Sequence, residues 1–412
     1  MKTTWTEGIK KTQFQKLKSS LSCDVVIIGG GLVGIQSAYF LSKAGKKVIV
    51  LEKNTLGSDA TQHTTAFITF SLDTSAKDLV SMFGKSDSRK IYESGKNAIN
   101  NIEKVIREEN IDCDFMRCSN YTYSSSEDEF KNLSKEATVI KELGFDVSLG
   151  KKDLGIPQKG YLELKNQAKF HPLKYLYAVA EAAKKNGTQI FENTEATKIT
   201  RKGNIVNIET KSGLIIKAGH VINATYDPLG NPVKTLFKKG MYVSYVFEIE
   251  IPSGLIKEGT YEDMENPYHY FRVDKAVGKD RMIFGGADHR SELKMDPKKN
   301  YKALREYLNK LLPGIKYEVT KKWIGPILEP SDGLPLIGEY KTRSYVAAAF
   351  SGNGMVYSMV AASIFNDLIL GRKNLYTKIY DPKRIPSAKQ LLKKGLDYGE
   401  EFFKGAVKNA FK

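Results

Sequence analysis

Three glycines and an acid carry the most legible chemistry in the chain. Gly29, Gly31 and Gly34 stand in G-x-G-x-x-G spacing, and Glu52 ends the next apolar run. In that arrangement the first glycine permits a tight turn, the second lets a pyrophosphate approach the backbone, and the third lets a helix pack closely on a strand. The helix that begins there offers free N–H groups and the positive end of its dipole to phosphate. A carboxylate at position 52 is placed to accept hydrogen bonds from a ribose. An acid there favours an unphosphorylated ribose, as in FAD or NAD, over NADP.

The elements that must hold these residues read from the same stretch. Val25 to Ile28 is an unbroken β-branched run, as a strand covered on both faces requires. A helix then leads into Val48 to Leu51, a second strand with Glu52 at its end. Strand, glycine turn, helix, strand and acid in that order make a dinucleotide-binding βαβ unit, where the glycines alone would be weak evidence. Far along the chain, Gly352, Asn353 and Gly354 open a segment that runs to about Leu370. It is apolar nearly all round, so it reads as a core helix, too short to span a bilayer.

The 412 residues suffice for two or three domains with sizeable cores. No apolar run reaches the ~20 residues of a membrane-spanning helix. The N-terminal arm lacks the apolar centre of a secretory signal; Trp5, Phe14 and Leu17 are expected to pin it onto the body. Cys23, Cys113 and Cys118 are too few and too scattered for a disulfide framework or a metal site, so a reducing, cytoplasmic setting without a metal is expected. The net charge is +17, from lysines spread along the whole chain. A solvated surface, an anionic substrate or a membrane surface would each account for it; a nucleic-acid role has no motif behind it.

Periodicity predicts helices over 87–111, 130–143, 172–185 and 300–312. It predicts strands over 115–124, 160–164, 188–192, 196–200, 205–210, 214–217, 220–224, 241–251, 268–273, 281–285 and 345–349. The middle section suits a substrate domain built on an antiparallel sheet. Directly after the acid strand, the loop NTLGSDATQHTTAFIT is rich in small hydroxyl residues and so lies beside a bound dinucleotide.

Together these parts resemble the D-amino-acid oxidase superfamily of FAD-dependent amine oxidoreductases, the group of glycine oxidase, sarcosine oxidase and dimethylglycine dehydrogenase. The resemblance covers roughly Asp24 to Arg372. It rests on DVVIIGGGLVGIQSAYFLSKAG, VIVLEK, the S-x-x-T-x-H-T-T-A loop, VINAT, FGGADH, DGLPLIG and SGNGMVYSMVAASIFNDLILG. The hydroxyl-rich loop is most similar to a bacterial branch fused to a C-terminal Rieske iron–sulfur domain. This chain has no Cys-x-His and Cys-x-x-His pair and no length for that domain, so electron transfer through an internal cluster is not expected.

The implied architecture is α/β. A discontinuous Rossmann-type FAD-binding domain would occupy residues 20–85, 155–240 and 325–375. An antiparallel-sheet α+β substrate domain would occupy 86–154 and 241–324, followed by a basic amphipathic tail over 383–412. The resemblance implies FAD contacts from Gly29, Gly31, Leu32, Val33, Gly34, Glu52, Lys53, Thr61, His63, Thr64, Thr65, Ala66, Ala224, Gly352, Asn353, Gly354 and Met355. The last helix would point its N-terminus at the flavin pyrimidine edge, where negative charge gathers on reduction. His63 stands where, in the dimethylglycine dehydrogenase branch, a histidine bonds covalently to the flavin 8-methyl group. A covalent or close flavin contact is the implied role, and a plain hydrogen bond within the loop is the alternative.

The implied reaction is oxidation of a small amine or amino acid by hydride transfer to flavin N5. The resulting imine hydrolyses, and oxygen or an external carrier takes the electrons. A carboxylate-bearing amine would be held by an arginine fork and tyrosine hydroxyls. Tyr268, Tyr270 and Arg272 alternate along one strand, so all three face one way. With Met241, Tyr245, His269 and His289 they form the candidate substrate site; the alternative is sheet packing and a surface ion pair. No residue stands out as a general base. Two other readings remain open: a membrane-peripheral flavin dehydrogenase of a hydroxyl substrate, of the glycerol-phosphate type, and an electron-transfer flavoprotein working with a protein partner. In the tail, Leu392, Leu396, Phe403, Val407 and Phe411 lie near one helical face among lysines. Such a helix can lie on the inner face of an anionic membrane, or pack on the body or a second subunit. The oligomeric state is left open.

Overall fold

The computed structural model describes residues 2–230, 241–265, 268–291, 296–330, 332–387 and 390. The amphipathic tail expected over 383–412 lies almost wholly outside them. The opening unit forms as the sequence predicts: β1 (Leu21–Ile28), α1 (Leu32–Lys43) and β2 (Val48–Leu51) follow one another. β1 and β2 are parallel, with Val25 opposite Val48 and Ile28 opposite Leu51. Their side chains alternate between two cores. Val25, Ile27, Val48 and Val50 pack with the helices, while Val26, Ile28, Ile49 and Leu51 pack on the other face of the sheet. That two-sided burial is why the run shows no polar alternation.

A short helix α2 (Ala60–His63) and strand β3 (Phe67–Ile68) carry the hydroxyl-rich loop. α3 (Ala76–Glu108) starts well before the predicted helix; Gly84, at φ 78°, kinks it and interrupts the periodicity there. Next come β4 (Met116–Ser124) and α4 (Glu127–Glu142), which begins at a Ser126–Glu129 capping box. β5 (Val147–Gly150), β6 (Gly160–Lys169), α5 (Pro172–Lys185), β7 (Gln189–Phe191), β8 (Ala196–Lys202), β9 (Ile205–Thr210) and β10 (Ile215–Asn223) follow. The sequence pattern divides β10 in two at Gly219, but the strand runs through. The remainder is β11 (Met241–Pro252), β12 (Gly259–Glu262), β13 (Tyr270–Asp274), β14 (Lys279–Arg290), α6 (Pro297–Leu311), β15 (Glu318–Leu328), β16 (Leu336–Lys341), β17 (Ser344–Ala348) and α7 (Gly354–Ile369).

Two sheets result. The first runs β16-β17-β10-β1-β2-β7, with β9 paired to β10 and β8 to β9. Its centre, from β17 to β7, is parallel. The second runs β15-β11-β14-β13-β12-β4-β6-β3, with β5 on β6. It is antiparallel except where β12 meets β4. The expected domain limits cut across these sheets. β3 and β6, placed by sequence with the FAD-binding part, are strands of the second sheet. α3, placed with the substrate part, shares its core with α1 and α7. Among the described residues no helix is long and apolar enough to cross a membrane.

A buried charge cluster ties β6 to β13. Lys169 Nζ donates to Glu258 at 2.8 Å, to the Val273 carbonyl at 2.6 Å and to Asp274 at 2.6 Å. Arg272 and Arg281 also donate to Asp274, at 2.7 and 2.9 Å. Burial alone would raise the Asp274 carboxyl, but Arg272, Lys169 and Arg281 hold it well below the usual carboxylate range. Asp274→Asn leaves buried cations without their counter-charge and should cost about 3–5 kcal/mol in urea unfolding. The sign with pH follows from the depressed value. The wild-type contribution is complete above the unfolded carboxylate's pKa of about 3.9 and is lost progressively as the pH falls below it. Asp274→Asn should therefore show a shallower loss of stability over that acid window.

Candidate active site

A cavity of about 960 Å³ opens at the glycine turn and reaches the second sheet. Gly29 makes the turn at φ 111°, and a Cβ there would stand 2.7 Å from the Ala224 carbonyl oxygen. The backbones of β1 and β10 therefore meet at the mouth of the cavity. Gly34 packs beneath the turn against Gly29 and does not face the cavity. Glu52 accepts from the Gly30 amide at 2.7 Å and the Asn54 amide at 2.8 Å, and burial raises its pKa. Lys53 pairs with Asp59 at 3.3 Å. Both line the cavity, as do Gly29, Gly31, Leu32, Val33, Thr61, His63, Thr64, Thr65 and Ala224.

The loop after α2 is held from behind by its carbonyls. Trp323 Nε1 donates to the His63 carbonyl at 2.9 Å, and Trp5 Nε1 to that of Thr64 at 2.7 Å. Arg272 Nη1 donates to the carbonyls of Thr65 at 3.4 Å and Ala66 at 3.1 Å. Ala66 is left-handed at φ 59° and fully buried, so it supports the loop without lining the cavity. His63 Nδ1 donates to the Asp59 carbonyl at 2.9 Å.

The opposite wall is the start of α7. Ala349 and Ser351, at φ 58° and 50°, bend the chain from β17 into the helix. Asn353 gives the helix no side-chain cap; its Nδ2 instead donates to the Ser71 carbonyl at 2.9 Å. Gly352 donates its amide to Asp73 at 3.2 Å. Gly354 and Met355 line the cavity, so the positive end of the helix dipole faces it. These features fit FAD. The cradle for a pyrophosphate, a carboxylate for a ribose and a helix N-terminus for a reducible ring surround one space. In its wall, Tyr226 Oη and Asn353 Oδ1 are buried polar atoms with no partner among the described residues.

The substrate candidates separate by face. Tyr268 and Tyr270 line the cavity. The Tyr270 ring lies over Gly285, where a Cβ would come within 2.4 Å of it, and its hydroxyl meets Ser244 Oγ at 2.7 Å. Phe67 meets the same ring edge-on, with centroids 5.9 Å apart. Arg272 shares their side of the sheet but is no substrate fork: its guanidinium is 2% exposed and bonded to Asp274, the loop carbonyls and the Phe170 carbonyl. Tyr245 and His289 are corrected more simply, since neither lines the cavity. On β11 the neighbours Ser244 and Val246 face it, so Tyr245 points to the far side, stacked on His289 at 5.7 Å and edge-on to Tyr301 of α6. His269 stacks on Tyr307 there, and Met241 is exposed. Asp263, Glu265 and His269 come together as a metal site might require. Asp263, however, is already bonded by the His269 amide and ring and by Tyr307, so the group reads as a structural knot.

Sequence reasoning missed Asp73, Glu262, Phe67, Ser244 and Tyr226 on the wall, and it read Trp5 only as an anchor of the arm, without the hold that Trp5 and Trp323 have on the loop. Only the loop position of Asp73 and Phe67, just past the hydroxyl run, signalled them. Trp5→Phe and Trp323→Phe keep the packing but leave one loop carbonyl without its donor. Each should lower unfolding stability by about 1–3 kcal/mol and weaken retention of FAD on dialysis. Unchanged retention in both would show that the indoles do not position the loop.

Comparison with known proteins agrees with this geometry. A family described as FAD dependent oxidoreductase, DAO, matches residues 24–368. The putative Rieske 2Fe-2S iron–sulfur protein YhfW of Bacillus subtilis is 32% identical over 98% of this chain and 80% of its own length. Gamma-glutamylputrescine oxidoreductase of Escherichia coli is 24% identical over 88% of this chain and 87% of its own. The crystal structure of glycine oxidase from Geobacillus kaustophilus superposes with a TM-score of 0.76 at 19% identity, covering 89% of this chain and 100% of that one. The α/β fold and the FAD cofactor expected from sequence hold, and the chain belongs to the DAO family of FAD-dependent oxidoreductases.

Proposed function

We propose that the protein oxidises a small amine at bound FAD to an imine that water hydrolyses. The observation that carries this reading is the continuity of one cavity from Glu52 and the glycine turn, past the loop at His63 and the start of α7, to Tyr268 and Tyr270. FAD supplies the two-electron acceptor. With FAD bound there as hydride acceptor, the substrate C–H bond would break with its electron pair and the nitrogen lone pair would close the C=N bond, giving the protonated imine that water hydrolyses. Oxygen or an external carrier then takes the electrons. The chain's own residues orient and shield. The N-terminus of α7 favours negative charge beside it. Val246, Ile327 and Leu328 give the far chamber apolar surface that excludes water. The tyrosine wall positions the amine, which must present a neutral nitrogen with its lone pair aligned.

Anaerobic mixing of the holoprotein with small amines and amino acids should bleach the flavin absorbance with saturating kinetics. Bleaching by a reduced protein partner and by no small molecule would point to electron transfer instead. The same reading gives His63 a direct flavin contact, supported by its place on the cavity wall and by the Nδ1 bond to the Asp59 carbonyl that orients the ring. A covalent link should leave the yellow colour with the pellet on acid precipitation, and His63→Ala should release it. A colourless wild-type pellet would restrict His63 to a non-covalent contact.

A further inference from the structure

Resting on the amine-oxidation reading, we propose that the substrate is a cationic amine without a carboxylate, such as a diamine. Its charged end is held by Glu262 against the rings of Phe67, Tyr268 and Tyr270.

The argument starts from Glu262. It ends β12 and lines the cavity. Thr122 Oγ1 and Asn120 Nδ2 both donate to its Oε1, at 2.9 and 3.0 Å. Among the described residues its other oxygen has no hydrogen-bond donor, so the carboxylate is braced on one side and open on the other. Asp73 lines the same chamber and acts electrostatically on Glu262, Tyr268 and Tyr270. Burial raises the Glu262 pKa, with Asp73 adding to it. Desolvation disfavours a bare carboxylate, and a bound ammonium offsets that penalty.

The rings supply the second, independent feature. Tyr268 and Tyr270 pack with centroids 5.5 Å apart, and Phe67 closes on Tyr270. Aromatic faces beside carboxylates attract ammonium groups.

The third feature is where the cations are. Among the described residues lining the cavity, Lys53 is the one lysine or arginine, and it pairs with Asp59 at the dinucleotide end. Arg272, the fork expected for an amino-acid carboxylate, is consumed by Asp274 and the loop. A carboxylate or phosphate placed beside Glu262 would thus meet like charge.

The test is anaerobic stopped-flow reduction of the holoprotein by 1,4-diaminobutane and its N-methyl derivative, set against glycine, sarcosine and L-proline. The expected result is flavin bleaching by the diamines at a second-order rate at least about tenfold above any amino acid. Equal or faster bleaching by the amino acids overturns the substrate class and leaves amine oxidation standing. No bleaching by either group, while dithionite still reduces the flavin, overturns both readings. Glu262→Gln keeps an oxygen for Thr122 and Asn120 but removes the charge. It should weaken the diamine's Kd, read from perturbation of the flavin spectrum, by about tenfold or more, with unchanged FAD content. An unchanged Kd overturns the assignment of Glu262.

Discussion

Four consecutive carbonyls, those of His63 to Ala66, set the geometry on which the site depends. A loop buried against a cofactor cannot leave them without donors. The neighbouring backbone is occupied by its own ladders. The donors come instead from three distant side chains: Trp5 on the arm before the first sheet, Trp323 on β15 and Arg272 on β13. Indoles and guanidinium are rigid, planar donors, so they fix position as well as satisfy hydrogen bonds. The loop is thereby tied to the N-terminal arm and to the second sheet at once. The cofactor wall and the substrate wall are consequently parts of one assembly.

The clamp extends inward through Arg272. Its guanidinium is aimed by Asp274, and Asp274 is held by Lys169 on β6 and by Arg281 on β14. A buried ion cluster is weak evidence for net stability, because desolvation offsets much of the attraction. Its value here is positional. With three cations around one carboxylate, Arg272 has a single low-energy place from which to reach the loop. Trp5 adds to this by lying 5.2 Å beneath the same guanidinium.

The cofactor half of the site was legible in the sequence because its chemistry is local. A phosphate cradle needs glycines at fixed spacing, and a ribose acid must end the next strand. The substrate half was not, because it is assembled across strands. Alternation shows which residues share a face but not which face meets the cavity. Register decides that: Val246 stands opposite Gly285, and Gly285 opposite Tyr270, so Tyr270 shares its face with Val246 and not with Tyr245. α6 covers the other face and claims Tyr245. Arg272 was assigned to the right side of the sheet and the wrong partner: Asp274 follows it two residues on along the same face, but nothing in the spacing reveals the carbonyls of a loop two hundred residues earlier. The helix starts at 76 and 127 were likewise set by Ser75 and Ser126 caps, which precede the apolar periodicity.

Net charge is a poor guide to such a site. The lysines that give the chain +17 are dispersed, and over a Debye length of about 8 Å exposed charges are screened. Inside the cavity that screening fails, and a few fixed groups decide what enters. Glu262 is fixed by strand pairing: the parallel register sets it opposite Thr122, and Thr260 opposite Asn120, which brings both of its donors onto one oxygen. An acid placed by a sheet ladder is held more rigidly than one on a loop. The strand ladder therefore fixes the acid proposed to meet the substrate, independently of the lysines dispersed along the chain.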